Sequence, residues 1–516
     1  MLCTVILFFW CRAGIDLVWL DKLWLCFFSL WAFSAIICLK KFHTKKFCAW
    51  VLILILFAPL PFIYSKNLIF SSPTDNQVKD IGMTDFLNNK EGLESRIVAS
   101  NILKETVPYF KSDAKKALGL LLHYNNQFND EFGHQSGNST ILSNLLKNMW
   151  SKPNPFLPVQ VIESKDSFFQ HLVFFSQFCI GFFAFIIFKD RKSIRRFVGL
   201  LFISGFAVGI AGMVQKFSYK PDSNLNEIWG IWDTPEPRYF YASFTYKNHW
   251  AAFSLLLVAM GLGLYFKSLQ TLSNSLSKRF YSIFYLSGIV VIIATISHCG
   301  SRSGVLIIIM FIFLLCLVLV RKFLKIFSGL TLSRLMLLLL SFLLGGLFLS
   351  KSTTTEMITN TTSQILQKDP PTRILLWGDL KEQISTKTFW GFGYDSYGSI
   401  NPIFQSPKVR EIRSRLLDNS HQTFVPLVGH GHSDLLEHIS EFGWVGFSLS
   451  FLPLLLISMR NFLFDPSIFN QSISGGILCF LAYCCIDFPT RSPACLILIS
   501  LLAGLSLKYN QLSLSK

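Results

Sequence analysis

The chain has 516 residues, 51% of them hydrophobic and 15% charged, with a mean hydropathy of +0.46. A soluble chain of this length carries roughly a quarter charged residues, so an ordinary water-soluble enzyme is excluded. The net charge of +17 fits either basic anchors beside membrane helices or a polyanionic substrate, and the concentration of Lys and Arg in short loops favours anchors for most of it.

Apolar runs near the roughly 17–25 residues that cross a bilayer fall at 2–20, 23–39, 48–65, 168–188, 197–216, 247–266, 281–298, 303–320, 333–350, 435–458, 473–488 and 493–508. The first carries Arg12 and Asp16 and lacks a cleavable signal pattern, so it reads as a weak first helix retained in the mature chain. Basic residues cluster in alternate loops: Lys40, Lys41, Lys45 and Lys46; Lys189, Arg191, Lys192, Arg195 and Arg196; Lys267, Lys278 and Arg279; Arg321, Lys322, Lys325 and Arg334. These loops belong on the cytoplasmic side. About twelve helices with both termini cytoplasmic satisfy the pattern, and losing the first would move only the N-terminus.

The expected architecture is all-α, a polytopic transmembrane bundle of about 12 helices. A long periplasmic loop precedes the tenth helix and an extra periplasmic segment follows the third. Five regions follow: N-terminal helices at 1–65, a periplasmic insertion at 66–167, core helices at 168–350, a large periplasmic loop at 351–434 and C-terminal helices at 435–516. Within the loop, "PPTRILLWGDLKEQI" reads as a short amphipathic helix opened by proline, followed by a glycine-rich "GFGYDSYG" turn. The twelve cysteines lie almost all within or against apolar runs. They act there as small hydrophobes, and nothing suggests a disulfide framework.

No GxxxxGK[ST], GxGxxG, HExxH or CxxC pattern is present, so an enzyme working outside needs a substrate that arrives already activated. Four polar phrases fall on the outer side of this topology. "TYKNHWAAF" places Lys247, Asn248 and His249 at the head of a helix, where the alternative is interfacial capping with Trp250 as a belt aromatic. "HCGSRSGVL" holds Arg302 in a very short loop between two apolar helices. Its guanidinium fork suits phosphate oxygens, against the alternative of a snorkelling anchor. In "TRILLWGDL", Arg373 and Trp377 share a helical face, the alternative being a surface helix with an Arg373 pair to Asp379 or Glu382. "HGHSDLLEHISEFGWVG" sets His432 just before a helix capped by Ser433 or Asp434, a place for a general base. His421, His430, His432 and His438 raise a zinc reading that no regular ligand spacing supports. Glu441 is spaced to face away from His432 along an ideal helix and suits packing or loop tethering.

The order and wording of these phrases resemble the O-antigen ligase family over roughly 168–508, within the superfamily that also holds O-antigen polymerases. "FTYKNHWAA" is similar to that family's F-x-N-x-N-x-x-A phrase; Ser301, Arg302, Ser303 and Gly304 resemble its SRG/SRS phrase. Arg373 and Trp377 with Gly391 and Gly393 resemble its R-x-x-x-W phrase and G-x-G turn. His432, Ser433, Leu436, Glu437, Glu441, Gly443 and Gly446 resemble its H-N-x-x-L-Q-x-x-x-E-x-G-x-x-G phrase, with Ser433 for Asn and Glu437 for Gln. The resemblance implies metal-independent, cofactor-free glycan transfer at the periplasmic face of a bacterial inner membrane. The donor would be an undecaprenyl-pyrophosphate-linked glycan and the acceptor lipid A–core or another glycan, with membrane lipid as surroundings and no nucleic acid. It implies His432 as the catalytic base, Arg302 and Arg373 as pyrophosphate-binding residues, and Lys247, Asn248 and Glu441 as supporting ones. An O-antigen polymerase, a protein O-oligosaccharyltransferase and a transporter or flippase without chemistry stay open; the sequence names neither sugar nor oligomeric state.

Overall fold

A computed structural model describes residues 1–15, 17–39, 165–218, 227–234, 240–270, 276–326, 372–413, 415–416, 423–424 and 428–514. The expected spans at 48–65 and 333–350, nearly all of the 66–167 insertion, the start of the long loop at 351–371, and His421 lie outside the described residues. The chain divides into two compact units, one made of Met1–Leu54, Val173–Gln367 and Phe451–Lys516, the other of Ile55–Leu172 and Lys368–Ser450.

The described residues are mostly helical: α1 Leu2–Trp10, α2 Val18–Leu39, α3 Lys165–Ile187, α4 Arg191–Ser218, α5 Lys247–Gln270, α6 Leu276–His298, α7 Arg302–Ile326, α8 Thr372–Thr386, α9 Tyr397–Phe404, α10 Pro407–Arg413, α11 Asp434–Phe464, α12 Ile468–Cys484 and α13 Pro493–Leu514. Two antiparallel pairs of two-residue strands depart from the all-α expectation, β1 Glu227–Ile228 with β2 Trp232–Asp233 and β3 Arg415–Leu416 with β4 Thr423–Phe424. Among the described residues five helices are long and apolar enough to cross a membrane: 191–218, 247–270, 280–298, 434–464 and 493–513. Three shorter apolar helices cover 172–187, 302–316 and 468–484. This is a membrane protein.

The first apolar run does not form one helix. α1 has nine residues, a rise of about 13 Å against a hydrocarbon core of about 30 Å. Arg12, Ala13 and Gly14 then all take positive φ (47°, 52° and 81°), which ends the helix before α2 begins. A Cβ on Gly14 would collide with Phe8 and Pro493, so the turn is packed as well as bent.

The membrane unit is built around α5, which is buried from Asn248 to Leu264 along every face and packs against α4, α6, α7, α12 and α13. That placement corrects the reading of Trp250 as a belt aromatic: it is fully buried, and its indole N–H donates to Thr295 Oγ1 at 3.1 Å. At the far end from Lys247, α11, α12 and α13 share a buried polar network. Asp465 Oδ2 accepts from Asn470 and Asn510 at 2.8 and 2.7 Å, and Asn461 donates to Ser506 at 3.0 Å. Interhelical hydrogen bonds of this kind hold apolar helices together where hydrophobicity alone cannot orient them.

The second unit has its own small core, with Leu376 and Leu380 of α8, Tyr397 of α9, Val409 of α10 and Val428 packed together. The expected amphipathic helix after the two prolines is α8, and its buried face carries this core.

Candidate functional site

In the membrane unit, α6 ends at His298 and α7 begins at Arg302, so the expected tight hairpin has only three connecting residues. Arg302 is exposed at the first position of α7. The serines on either side hold it there. Ser301 Oγ accepts the Gly304 N–H at 3.2 Å as the cap of α7. Tyr483, fully buried on α12, has its hydroxyl 3.0 Å from both Ser301 Oγ and Ser303 Oγ. The sequence concealed Tyr483, which reads as one more residue of an apolar run.

At the head of α5, Asn248 donates its amide to Tyr246 OH at 2.8 Å and to Asp487 Oδ2. Asp487 belongs to the "DFPTRSP" turn after α12 and also accepts the Phe488 N–H at 3.0 Å. Asn248 therefore clamps this turn, and the His249 ring packs edge-on against Phe488 at 5.1 Å. Lys247 occupies the first position of α5; its carbonyl accepts from Cys299 Sγ at 3.7 Å, and its ammonium lies beside Gly300.

In the second unit, α8 presents Arg373 and, one turn on, Trp377, whose indole N–H donates to the His432 carbonyl at 3.3 Å. Asp379 is buried, and its Oδ1 accepts the Ser406 N–H at 3.2 Å. His432 has φ +54°, a conformation rare outside Gly, Asn and Asp that costs of order 1–3 kcal/mol and persists only where neighbours enforce it. They do so from both sides. Glu437, fully buried, accepts from the Gly431 N–H and lies 3.3 Å from His430 Nδ1. Ser433 Oγ accepts the Leu436 N–H at 3.3 Å, making Ser433 the cap of α11. The His432 side chain remains partly exposed at the head of α11. His438 is buried with Nδ1 3.1 Å from the Asp434 carbonyl oxygen. His430 and His438 thus have separate structural neighbours.

α11 is interrupted. Gly443 adopts φ 66°, ψ −179°, a region essentially reserved for glycine. An unbroken helix would bond Trp444 N–H to the Ser440 carbonyl and Val445 N–H to the Glu441 carbonyl. Here residues 388–393 are spliced between them. Trp444 N–H donates to Thr388 O at 2.9 Å and Val445 N–H to Phe389 O at 3.1 Å; Phe392 N–H donates to Ser440 O at 2.9 Å and Gly393 N–H to Glu441 O at 2.8 Å. The "GFG" turn and the "E-F-G" phrase are two halves of one joint. Glu441 is fully buried, and its tether to the loop runs through its backbone carbonyl.

Lys387 precedes the spliced segment and is fully buried; burial pulls its ammonium down to about 8. An unfolded lysine titrates near 10.4. Between about 8 and 10 the unfolded chain holds a proton that the folded one has released, so stability rises with pH in that window. Lys387→Met is therefore expected to melt above wild type at pH 7, with the gap closing by pH 10. Thermal melts at the two pH values check this; an equal gap at both would remove the buried charge as its cause.

Residues 287–451 match the family model described as O-Antigen ligase. Over this stretch the chain is similar to the O-antigen ligase family. The match takes in Arg302, Arg373, His432 and Glu441 and leaves Lys247, Asn248, Tyr483 and Asp487 outside it. No curated protein matches the chain. The match supports an O-antigen ligase-like membrane glycan transferase.

Proposed function

We propose that the protein moves an O-antigen-type glycan from undecaprenyl pyrophosphate onto a sugar hydroxyl of lipid A–core, at the periplasmic face of a bacterial inner membrane. The observation that carries this is the way α8 and α11 hold His432. Trp377 fixes its carbonyl, Glu437 and Ser433 fix its flanks, and its side chain is left partly exposed at the head of a family-matched helix. In the reaction the acceptor hydroxyl oxygen bonds to the anomeric carbon as the bond from that carbon to the pyrophosphate oxygen breaks. His432 takes the hydroxyl proton. Negative charge grows on the departing pyrophosphate, and Arg302 and Arg373 are the guanidinium forks that stabilise it. The donor carries its own activation, so no nucleotide is consumed.

Reconstitution of the full chain with an undecaprenyl-pyrophosphate-linked glycan, without nucleotide, tests the reading. Glycan should appear on lipid A–core. Appearance on lipid-linked glycan would make the protein a polymerase, on protein an O-oligosaccharyltransferase, and on none of them would end the transferase reading.

Tyr483 is a positioning residue in this scheme, acting on Arg302 through Ser301 and Ser303. Tyr483→Phe removes a hydroxyl whose bonds contribute about 1 kcal/mol each. It is expected to lower the melting temperature modestly and transfer roughly tenfold, moving in the same direction as Arg302→Lys. The double variant should lose little more than Arg302→Lys alone, because the two share one function. Additive losses would separate Tyr483 from Arg302.

A further inference from the structure

Four helix ends meet around the α6–α7 hairpin, and each brings a basic group. Lys216 lies in the last turn of α4, with its ammonium 4.3 Å from the Phe240 ring centroid. The ring of the next residue, Phe217, lies tilted against that of His298, the last residue of α6, with centroids 4.8 Å apart. Lys247 opens α5 against Cys299 and Gly300, and Arg302 opens α7 two residues later. Lys216 is close enough to Lys247 and to His298 to repel both electrostatically.

Helix dipoles account for only half of this set. Lys216 and His298 sit at helix C-termini, where a cation is favoured. Lys247 and Arg302 sit at helix N-termini, where the dipole is already positive and a further cation is disfavoured. Two cations at N-terminal positions, one of them (Lys247) crowded by Lys216, suit a place where an anion resides; the first-turn amides of α5 and α7 would serve the same anion. Lys216, Lys247 and His298 are partly exposed and Arg302 exposed, so a ligand has access.

We propose that Lys216, Lys247 and Arg302 form one binding site for the pyrophosphate of a polyprenyl-linked donor, with Lys216 a direct phosphate ligand. This rests on the donor assigned above and adds Lys216, which lies outside the family match. The site is specific for a diphosphate bridging two helix starts, not for single phospholipid headgroups.

The test uses the full chain in nanodiscs and Lys216→Met, which keeps an unbranched apolar side chain and removes the charge. Binding of undecaprenyl pyrophosphate without glycan should weaken about tenfold, and the donor KM should rise by a similar factor with kcat within about twofold. Lys216→Arg should bind nearly as wild type does. Unchanged undecaprenyl pyrophosphate affinity in Lys216→Met would overturn the proposal. So would an equal loss of phosphatidylglycerol binding in both lipid arms, which marks a headgroup anchor. Failure of the transferase reading shows differently, as wild type that binds undecaprenyl pyrophosphate yet glycosylates no acceptor.

Discussion

His432→Asn is expected to abolish all but about 10⁻² to 10⁻⁴ of glycan transfer while leaving the fold intact. A positioned general base contributes roughly 10²–10⁴-fold, and asparagine cannot take the acceptor proton. The choice of asparagine matters because of the backbone. At φ +54° most residues are strained, whereas asparagine tolerates the left-handed region, so Trp377, Glu437 and Ser433 can keep their bonds to this turn. His432→Gly relieves the strain outright and should be at least as stable as wild type and equally inactive. Transfer by single-turnover assay and thermal melting together check the pair. Wild-type transfer in His432→Asn would remove the residue from proton transfer, and a large drop in melting temperature in both variants would recast it as structural.

Much of this arrangement was legible in the residues. The polar phrases gave α5 beginning at Lys247, the short hairpin before Arg302, and α8 with Trp377 and Arg373 on one face. These are local signals, carried by residues within one or two turns of each other. What stayed hidden depends on partners far along the chain. Tyr483 is 180 residues from Ser303, and nothing in an apolar run marks one tyrosine as facing a hairpin. Trp250 looked like an interfacial aromatic because its position in the helix suits one; only the burial of α5 on all sides makes it core. The run 2–20 has the composition of a span, and its break comes from three successive positive φ angles that packing against Pro493 supports. Glu437 stood out only as a departure from the family's glutamine, yet its carboxylate holds the turn that carries His432.

The joint in α11 is the least legible feature, and it yields the largest expected effect on stability. From 435 to 458 the sequence is one apolar run, in which an isolated glycine is normally tolerated. Gly443→Ala is expected to lower both the melting temperature and transfer sharply. A Cβ there would meet the Phe389 carbonyl and the Trp390 amide, and the alanine backbone would sit in conformational space costing of order 1–3 kcal/mol. Relief comes only by withdrawing residues 388–393, which gives up four interlocked backbone hydrogen bonds at about 0.5–1.5 kcal/mol net each. The vacated groups cannot simply re-form a straight helix, because Gly391, at φ +66° and against the Ser440 and Glu441 carbonyls, still occupies the ladder. Gly378→Ala is the matched control: it lies on α8 with nothing within 4 Å of an added Cβ, and should be neutral or stabilising by roughly 0.5–1 kcal/mol. Limited proteolysis reports the joint directly, with cleavage in 388–393 accelerating in Gly443→Ala and not in Gly378→Ala. Wild-type melting and protection in Gly443→Ala would mean that α11 runs straight through residue 443 and that the loop merely rests on it.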